Sequence, residues 1–359
     1  MTYTRAAGLL LLVVGCGPQV SDLPNSTCLQ LTQPGGETVT TTHPGKVSAF
    51  FSVDTCSGQP VSTLTGDDFE ILEDGKPVSP YESRRTIQPK GQRYQMDSMV
   101  LLDFSGSILR SNSWPVVHAA ALKYVETVLA RAGDGQQVAI YTFDGRAAPQ
   151  QVVGFTSDKA AAVEGLRSLS DRQCSQSSQC SANAEARTCA AFRCVDDSTN
   201  LNGALLRALE LLEARSAAQK DVAFKDSSLV IFTDGTDQAA RASTETVLMR
   251  SRSSPVHIFT VGLGAEVDRK ALEGFGKDGF YPAQAPAELA EAFSRIALKV
   301  AGLANRFYLL EYCSPKRSGR HELKLVARWG QPGAEVMIGS MTREFDATGF
   351  ESGCDLVGD

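Results

Sequence analysis

Apolar and polar positions change their period twice along this chain. Between Glu37 and Tyr94 they alternate or fall in short blocks: Thr38–Thr42, Val47–Val53 with Ser48 and Ser52 set among Phe50 and Phe51, and Asp68–Val78, where Phe69 and Ile71 alternate with charged residues. This pattern predicts strands, with Asp74-Gly75 as a hairpin turn. From Asp97 to Leu303 apolar runs alternate with helical periods. Strands are predicted at Met99–Leu102, Val138–Phe143, Ser228–Thr233 and Val256–Val261, with a minor one around Phe280–Tyr281. Helices are predicted from Ser113 as N-cap, then over Lys159–Leu169, Asn202–Ala214, Thr244–Arg250, Val267–Phe275 and Pro286–Leu303. Such alternation predicts an α/β unit with a doubly wound, mainly parallel sheet. After Arg306 the strand pattern returns at Phe307–Cys313, His321–Arg328, Glu335–Ile338 and Arg343–Asp346. We read residues 37–96 and 304–359 as two parts of one antiparallel β-sandwich, with the α/β unit, 97–303, inserted. Separate flanking domains are the alternative, because a sequence does not state which strands pair.

At 359 residues the chain is long enough for two cores. A net charge of −6 leaves no basic surplus to neutralise phosphates, which argues against nucleic acid as the partner. The first sixteen residues stand apart. Arg5 precedes an apolar run of about ten residues ending Val13-Val14-Gly15-Cys16, too short to span a bilayer. That ending resembles a bacterial lipobox, which implies lipidation of Cys16, export, and membrane attachment through the lipid alone. Gly17 and Pro18 are not acidic, which favours the outer over the inner membrane of the cell envelope. A plain signal peptide cleaved elsewhere is the alternative. Residues 17–36, rich in Pro, Ser, Thr and Gly from Ser21, are expected to form a tether. Eight further cysteines remain: Cys28, Cys56, Cys174, Cys180, Cys189, Cys194, Cys313 and Cys354. An even number in an exported chain reads as disulfides, with connectivity open.

The strand at Met99–Leu102 ends in Asp103-Phe-Ser105-Gly-Ser107, a carboxylate and two hydroxyls at alternate positions of one turn. Oxygen-only ligands suit a hard cation such as Mg²⁺ or Mn²⁺. Thr199-Asn-Leu-Asn-Gly opens a helix, and Thr233-Asp234-Gly235 follows another buried strand. Together these three parts resemble the von Willebrand factor type A domain over somewhat more than half the chain. The resemblance implies that family's metal-ion-dependent adhesion site at Asp103, Ser105, Ser107, Thr199 and Asp234. It also implies one ion, whose open positions accept an Asp or Glu carboxylate of a protein ligand. A second metal, as in integrin β-type relatives, is not expected, since Ile108–Ser113 contains no acid. We read Asp237 as a solvated loop residue. The alternative to a metal is that these Ser, Thr and Asp residues only cap helices and close turns.

The insertion 170–198 carries Cys174, Cys180, Cys189 and Cys194 and runs directly into Thr199, which places it beside the site. Four thiolates on zinc are the alternative to two bridges, but no Cys-x-x-Cys pair is present. We expect the loop to select or gate the ligand. The leading functional expectation is a non-enzymatic, metal-dependent binding module on a bacterial envelope. The alternatives are a metal-assisted hydrolase, which lacks an evident general base, and a structural lipoprotein without metal.

Overall fold

The computed structural model describes residues 28–34, 39–89, 94–130, 135–180, 188–220, 222, 224–330 and 335–354. Cys16, the signal segment and 17–27 of the expected tether lie outside them. The chain begins as short strands: β1 (Leu29–Thr32), β2 (Thr40–Thr42), β3 (Lys46–Thr55), β4 (Phe69–Glu73), β5 (Lys76–Pro77) and β6 (Thr86–Pro89). The expected tether is corrected from Leu29 onward. Leu29 and Leu31 are buried while Gln30 and Thr32 are exposed, and that alternation pairs β1 with β3 along one edge. The β4–β5 turn at Asp74-Gly75 has both residues at positive φ, as a two-residue hairpin requires.

The α/β unit starts at Tyr94, slightly before the expected boundary. In order it contains β7 (Tyr94–Asp103), α1 (Gly106–Arg110), α2 (Trp114–Val128), β8 (Gln136–Phe143), β9 (Gln150–Thr156), α3 (Lys159–Ser168), β10 (Thr188–Ala190) and β11 (Arg193–Val195). Then follow α4 (Leu201–Ala218), β12 (Phe224–Thr233), α5 (Thr244–Ser253), β13 (His257–Leu263), α6 (Arg269–Phe275), β14 (Gly279–Ala283) and α7 (Leu289–Asn305). Six strands form one sheet in the order β14-β13-β12-β7-β8-β9, parallel except for β9. The sequence pattern does not predict β9. Gly154 breaks its apolar run, and its residues are mostly half-buried at a sheet edge.

Side chains of the central strands alternate between two cores, as a sheet covered on both faces demands. Val100, Leu102, Val230 and Phe232 pack with α2, α3 and α7, while Met99, Leu101, Leu229 and Ile231 pack with α4, α5 and α6. α7 buries Leu289, Phe293, Ile296 and Val300 at helical spacing. No helix among the described residues is long and apolar enough to cross a membrane.

The chain closes with β15 (Phe307–Cys313), β16 (Arg320–Trp329) and β17 (Met337–Asp346). β15 lies between β3 and β6 in one antiparallel sheet, and β16 lies between β17 and β4 in a second. A shared core of Phe51, Phe69, Ile71, Tyr308, Leu310 and Leu325 fills the space between the two sheets. Both sheets therefore mix strands from before and after the α/β unit. Contact between the two parts is aromatic: Phe50 stacks on Phe224 at 4.7 Å and on Phe307 at 5.6 Å, and Tyr94 meets Phe307 at 4.3 Å. Arg306, between α7 and β15, pairs with Asp54 at 3.0 Å.

Candidate metal centre

β7 and β12 are neighbours at the point where strand order reverses, so the loops leaving their C-terminal ends diverge and open a crevice. Asp103 is the last residue of β7, and Thr233 is the last of β12. At that edge Asp103 Oδ1 accepts the Ser105 amide at 2.9 Å, and Oδ2 accepts the Thr233 hydroxyl at 2.6 Å. The Ser105 and Ser107 hydroxyls lie 3.1 Å apart, and Ser107 donates to Asp234 Oδ1 at 2.8 Å. Four of the five predicted residues are thus linked by hydrogen bonds across two strand ends, the Asp103–Ser105 link running through the Ser105 amide. Thr199 is buried and, among the described residues, shares no hydrogen bond with these four. Its carbonyl accepts the amides of Gln238 and Ala239, which ties the start of α4 to the loop after Asp234. Asp103 and Ser105 are fully buried, whereas Ser107 is exposed and Asp234 half-exposed, so the cluster opens on one side.

Burial pushes the Asp103 carboxyl up to about 7. The hydrogen bonds from Ser105 and Thr233 oppose that rise, and the Asp234 charge adds to it. The Asp234 carboxyl is also raised, chiefly by burial, with the Ser107 hydrogen bond opposing. Among the described residues neither carboxylate has a cationic side chain as partner. Two poorly solvated acids facing each other through hydroxyls are unfavourable unless something positive compensates them. A small dication fits this donor set. Every donor is oxygen, two are anionic, and the open side leaves room for waters or an incoming ligand.

Residues that sequence reasoning misses hold these loops in place. Asp144, buried just after β8, accepts the Arg146 amide and Nε through Oδ1, and the Asp196 amide through Oδ2. Its carbonyl accepts the Asn200 amide, and Asn200 donates from its side chain to the carbonyl of Arg146 while capping Gly203. The signal that could have found it is Asp144-Gly145, a third strand-end carboxylate after an apolar run. Asp237 does more than the sequence suggests. It is half-exposed in the loop after β12, and it also braces that loop, because its oxygens accept the amides of Asn202 at 2.9 Å and Ala240 at 3.0 Å. The histidines have other partners: His118 meets the Leu166 carbonyl, His257 meets Asp278, and His321 meets Asp74.

The cysteines pair as Cys28–Cys56, Cys174–Cys189, Cys180–Cys194 and Cys313–Cys354. Three sulfurs of the insertion lie within 4.8 Å of one another, but each is bonded in a bridge and offers no thiolate for zinc. Residues 181–187 of the insertion lie outside the described residues. The insertion, with its paired strands β10 and β11, reaches the Asp103 turn at two places. Arg193 stacks its guanidinium over Phe104 at 5.6 Å, and Asp197 pairs with Arg110 of α1 at 2.6 Å.

Residues 98–236 match the family model of the von Willebrand factor type A domain. Among solved structures, a von Willebrand factor type A protein from Catenulispora acidiphila is 13% identical, with a TM-score of 0.43, over 93% of this chain and 76% of its own. Proximal thread matrix protein 1 of the mussel byssus, solved with a zinc-occupied MIDAS motif, is 18% identical with a TM-score of 0.41 over 64% of this chain. This chain spans about half of that protein, 49% of its length. The pilus adhesin SpaC of Lactobacillus rhamnosus GG is 10% identical with a TM-score of 0.40, over 89% of this chain and 48% of its own. The oxygen cluster lies within the matched segment, with Asp234 near its far end, and over residues 98–236 the α/β unit resembles a von Willebrand factor type A domain.

Proposed function

We propose that this chain is a metal-dependent protein-binding module. In this reading Asp103, Ser105, Ser107, Thr199 and Asp234 hold one Mg²⁺- or Mn²⁺-type ion that captures an Asp or Glu carboxylate of a protein partner. The observation that carries it is the run of oxygens from Thr233 through Asp103 and from Ser105 through Ser107 to Asp234, spanning two strand ends and open to solvent at Ser107. The ion supplies an electrophile with exchangeable positions. Asp103 and Asp234 match its charge without exceeding it, and the hydroxyls orient without adding charge, so an incoming carboxylate remains attracted. The buried Asp103 is fixed by two hydrogen bonds, and the Asp144–Asn200 network holds the loop bearing Thr199.

Attachment to a bacterial envelope through Cys16, with export and the outer membrane as destination, belongs to the same proposal and rests on the first sixteen residues. Pull-down from envelope extracts tests the reading. Partners should be retained by the wild type in Mg²⁺, and lost both in chelator and in Asp234→Ala. Equal retention in all three would overturn it. Metabolic labelling with a fatty-acid analogue should mark the wild type and not Cys16→Ser.

A further inference from the structure

Beside the Asp103 turn lies a second cavity, of about 310 Å³, at the lower end of the range for ligand sites. Phe104, between two of the metal-site residues, forms one wall. Arg146, Gln150, Gln151, Gln173 and Arg193 supply polar groups, and among the described residues no carboxylate lines it. The two arginines differ in their partners. Arg146 Nε is paired with the buried Asp144 at 2.8 Å. Arg193 is half-buried, and one terminal nitrogen donates to two neutral carbonyls, those of Ser168 and Asp171. Among the described residues its Nε is buried without a partner and its guanidinium forms no ion pair. Burial lowers the Arg193 pKa, against the attraction of the Asp171 charge. A partly desolvated guanidinium without a direct ion pair is costly, and an incoming anion would relieve it. The disulfide-closed insertion places it there: Arg193 adjoins Cys194, which is bridged to Cys180.

We propose that this cavity is a carboxylate subsite in which Arg193, with the glutamines beside it, takes a second acidic side chain of the protein partner. The proposal rests on the reading of the metal centre as a carboxylate-binding site, and adds that the partner is an acidic segment presenting at least two carboxylates. It gives the crosslinked insertion a task, which is to supply the positive charge that the five metal-site residues lack.

The test uses a fluorescein-labelled octa-aspartate peptide, which offers carboxylates at many spacings, and anisotropy titrations of the full chain with disulfides intact. With a net charge of −6 the protein as a whole repels such a probe, so binding in excess EDTA reports a local site. In EDTA the wild type should bind, and Arg193→Gln should bind about tenfold more weakly. Arg193→Gln also removes two contacts to carbonyls, so Gln173→Glu serves as a second variant. It adds a negative charge to the cavity wall while keeping Arg193, and should weaken the probe comparably. Added Mg²⁺ should tighten the wild type and Arg193→Gln, but not Asp234→Ala. Absence of binding by the wild type in EDTA, or wild-type binding by both Arg193→Gln and Gln173→Glu, overturns the subsite. Failure of Mg²⁺ to tighten the wild type overturns the metal reading instead.

Discussion

The two ends of β7 each bury an aspartate, and their surroundings differ. Asp97, at the N-terminal end and 2% exposed, receives Arg215 Nε at 2.7 Å together with side-chain amides of Gln219 and Gln95. Asp103, at the C-terminal end and 0% exposed, receives a backbone amide and one hydroxyl, and faces a second carboxylate. The first is a closed ion pair that fastens α4 to the strand. The second has geometry but no compensating charge. One strand thus carries a structural acid at one end and an acid poised for a cation at the other, and the side chains that α4 and the loops bring to each end decide which is which.

The largest effect is expected from breaking the closed end. Arg215→Ala leaves Asp97 buried without its cation and should destabilise the chain by about 3 kcal/mol or more, equally with and without metal. Chemical denaturation in EDTA and in Mg²⁺ checks this, and a cost that vanished in Mg²⁺ would erase the distinction between the two ends.

Asp103→Asn should act in the opposite sense. It abolishes stabilisation by metal, yet the metal-free variant should be at least as stable as the wild type above pH 7. The folded chain keeps the Asp103 proton up to about pH 7, whereas the unfolded chain releases it near the ordinary carboxylate value of 3.8. Between those values the folded state binds more protons. The stability of the metal-free wild type should therefore fall as pH rises from about 4 to about 7 and level off above. Melting curves of both proteins in EDTA across that range isolate the effect, and parallel pH profiles would contradict it.

The smallest effect is expected at the rim. Ser107 is exposed and neutral, so Ser107→Ala should weaken metal binding, read by calorimetry, by about tenfold without changing metal-free stability.

Much of this site is legible in the sequence because its chemistry interrupts apolar strands. Asp103 and Asp234 follow buried runs, where an acid is costly unless something makes use of it. The supporting residues are less legible because their partners are distant in sequence. Asp144 reaches Asp196 and Asp237 reaches Asn202, and although Asp144-Gly145 ends an apolar run, nothing local names the partner of either. The disulfide pairs stay open for the same reason, since spacing alone does not choose among pairings. Strand β1 resembles a tether because four residues with two buried leucines give too short a period, and β9 escapes notice because Gly154 interrupts it. Arg193 carries no sequence signal at all. Its significance comes from what the folded insertion leaves unpaired.

The central claim is that the open end of β7 awaits a dication. Titration calorimetry of the metal-free chain with Mn²⁺ addresses it directly. One ion per chain is expected for the wild type, unchanged in Asp97→Asn if that variant folds, and lost in both Asp103→Asn and Asp234→Asn. No binding by the wild type, or the same binding by Asp103→Asn and Asp234→Asn, would contradict it.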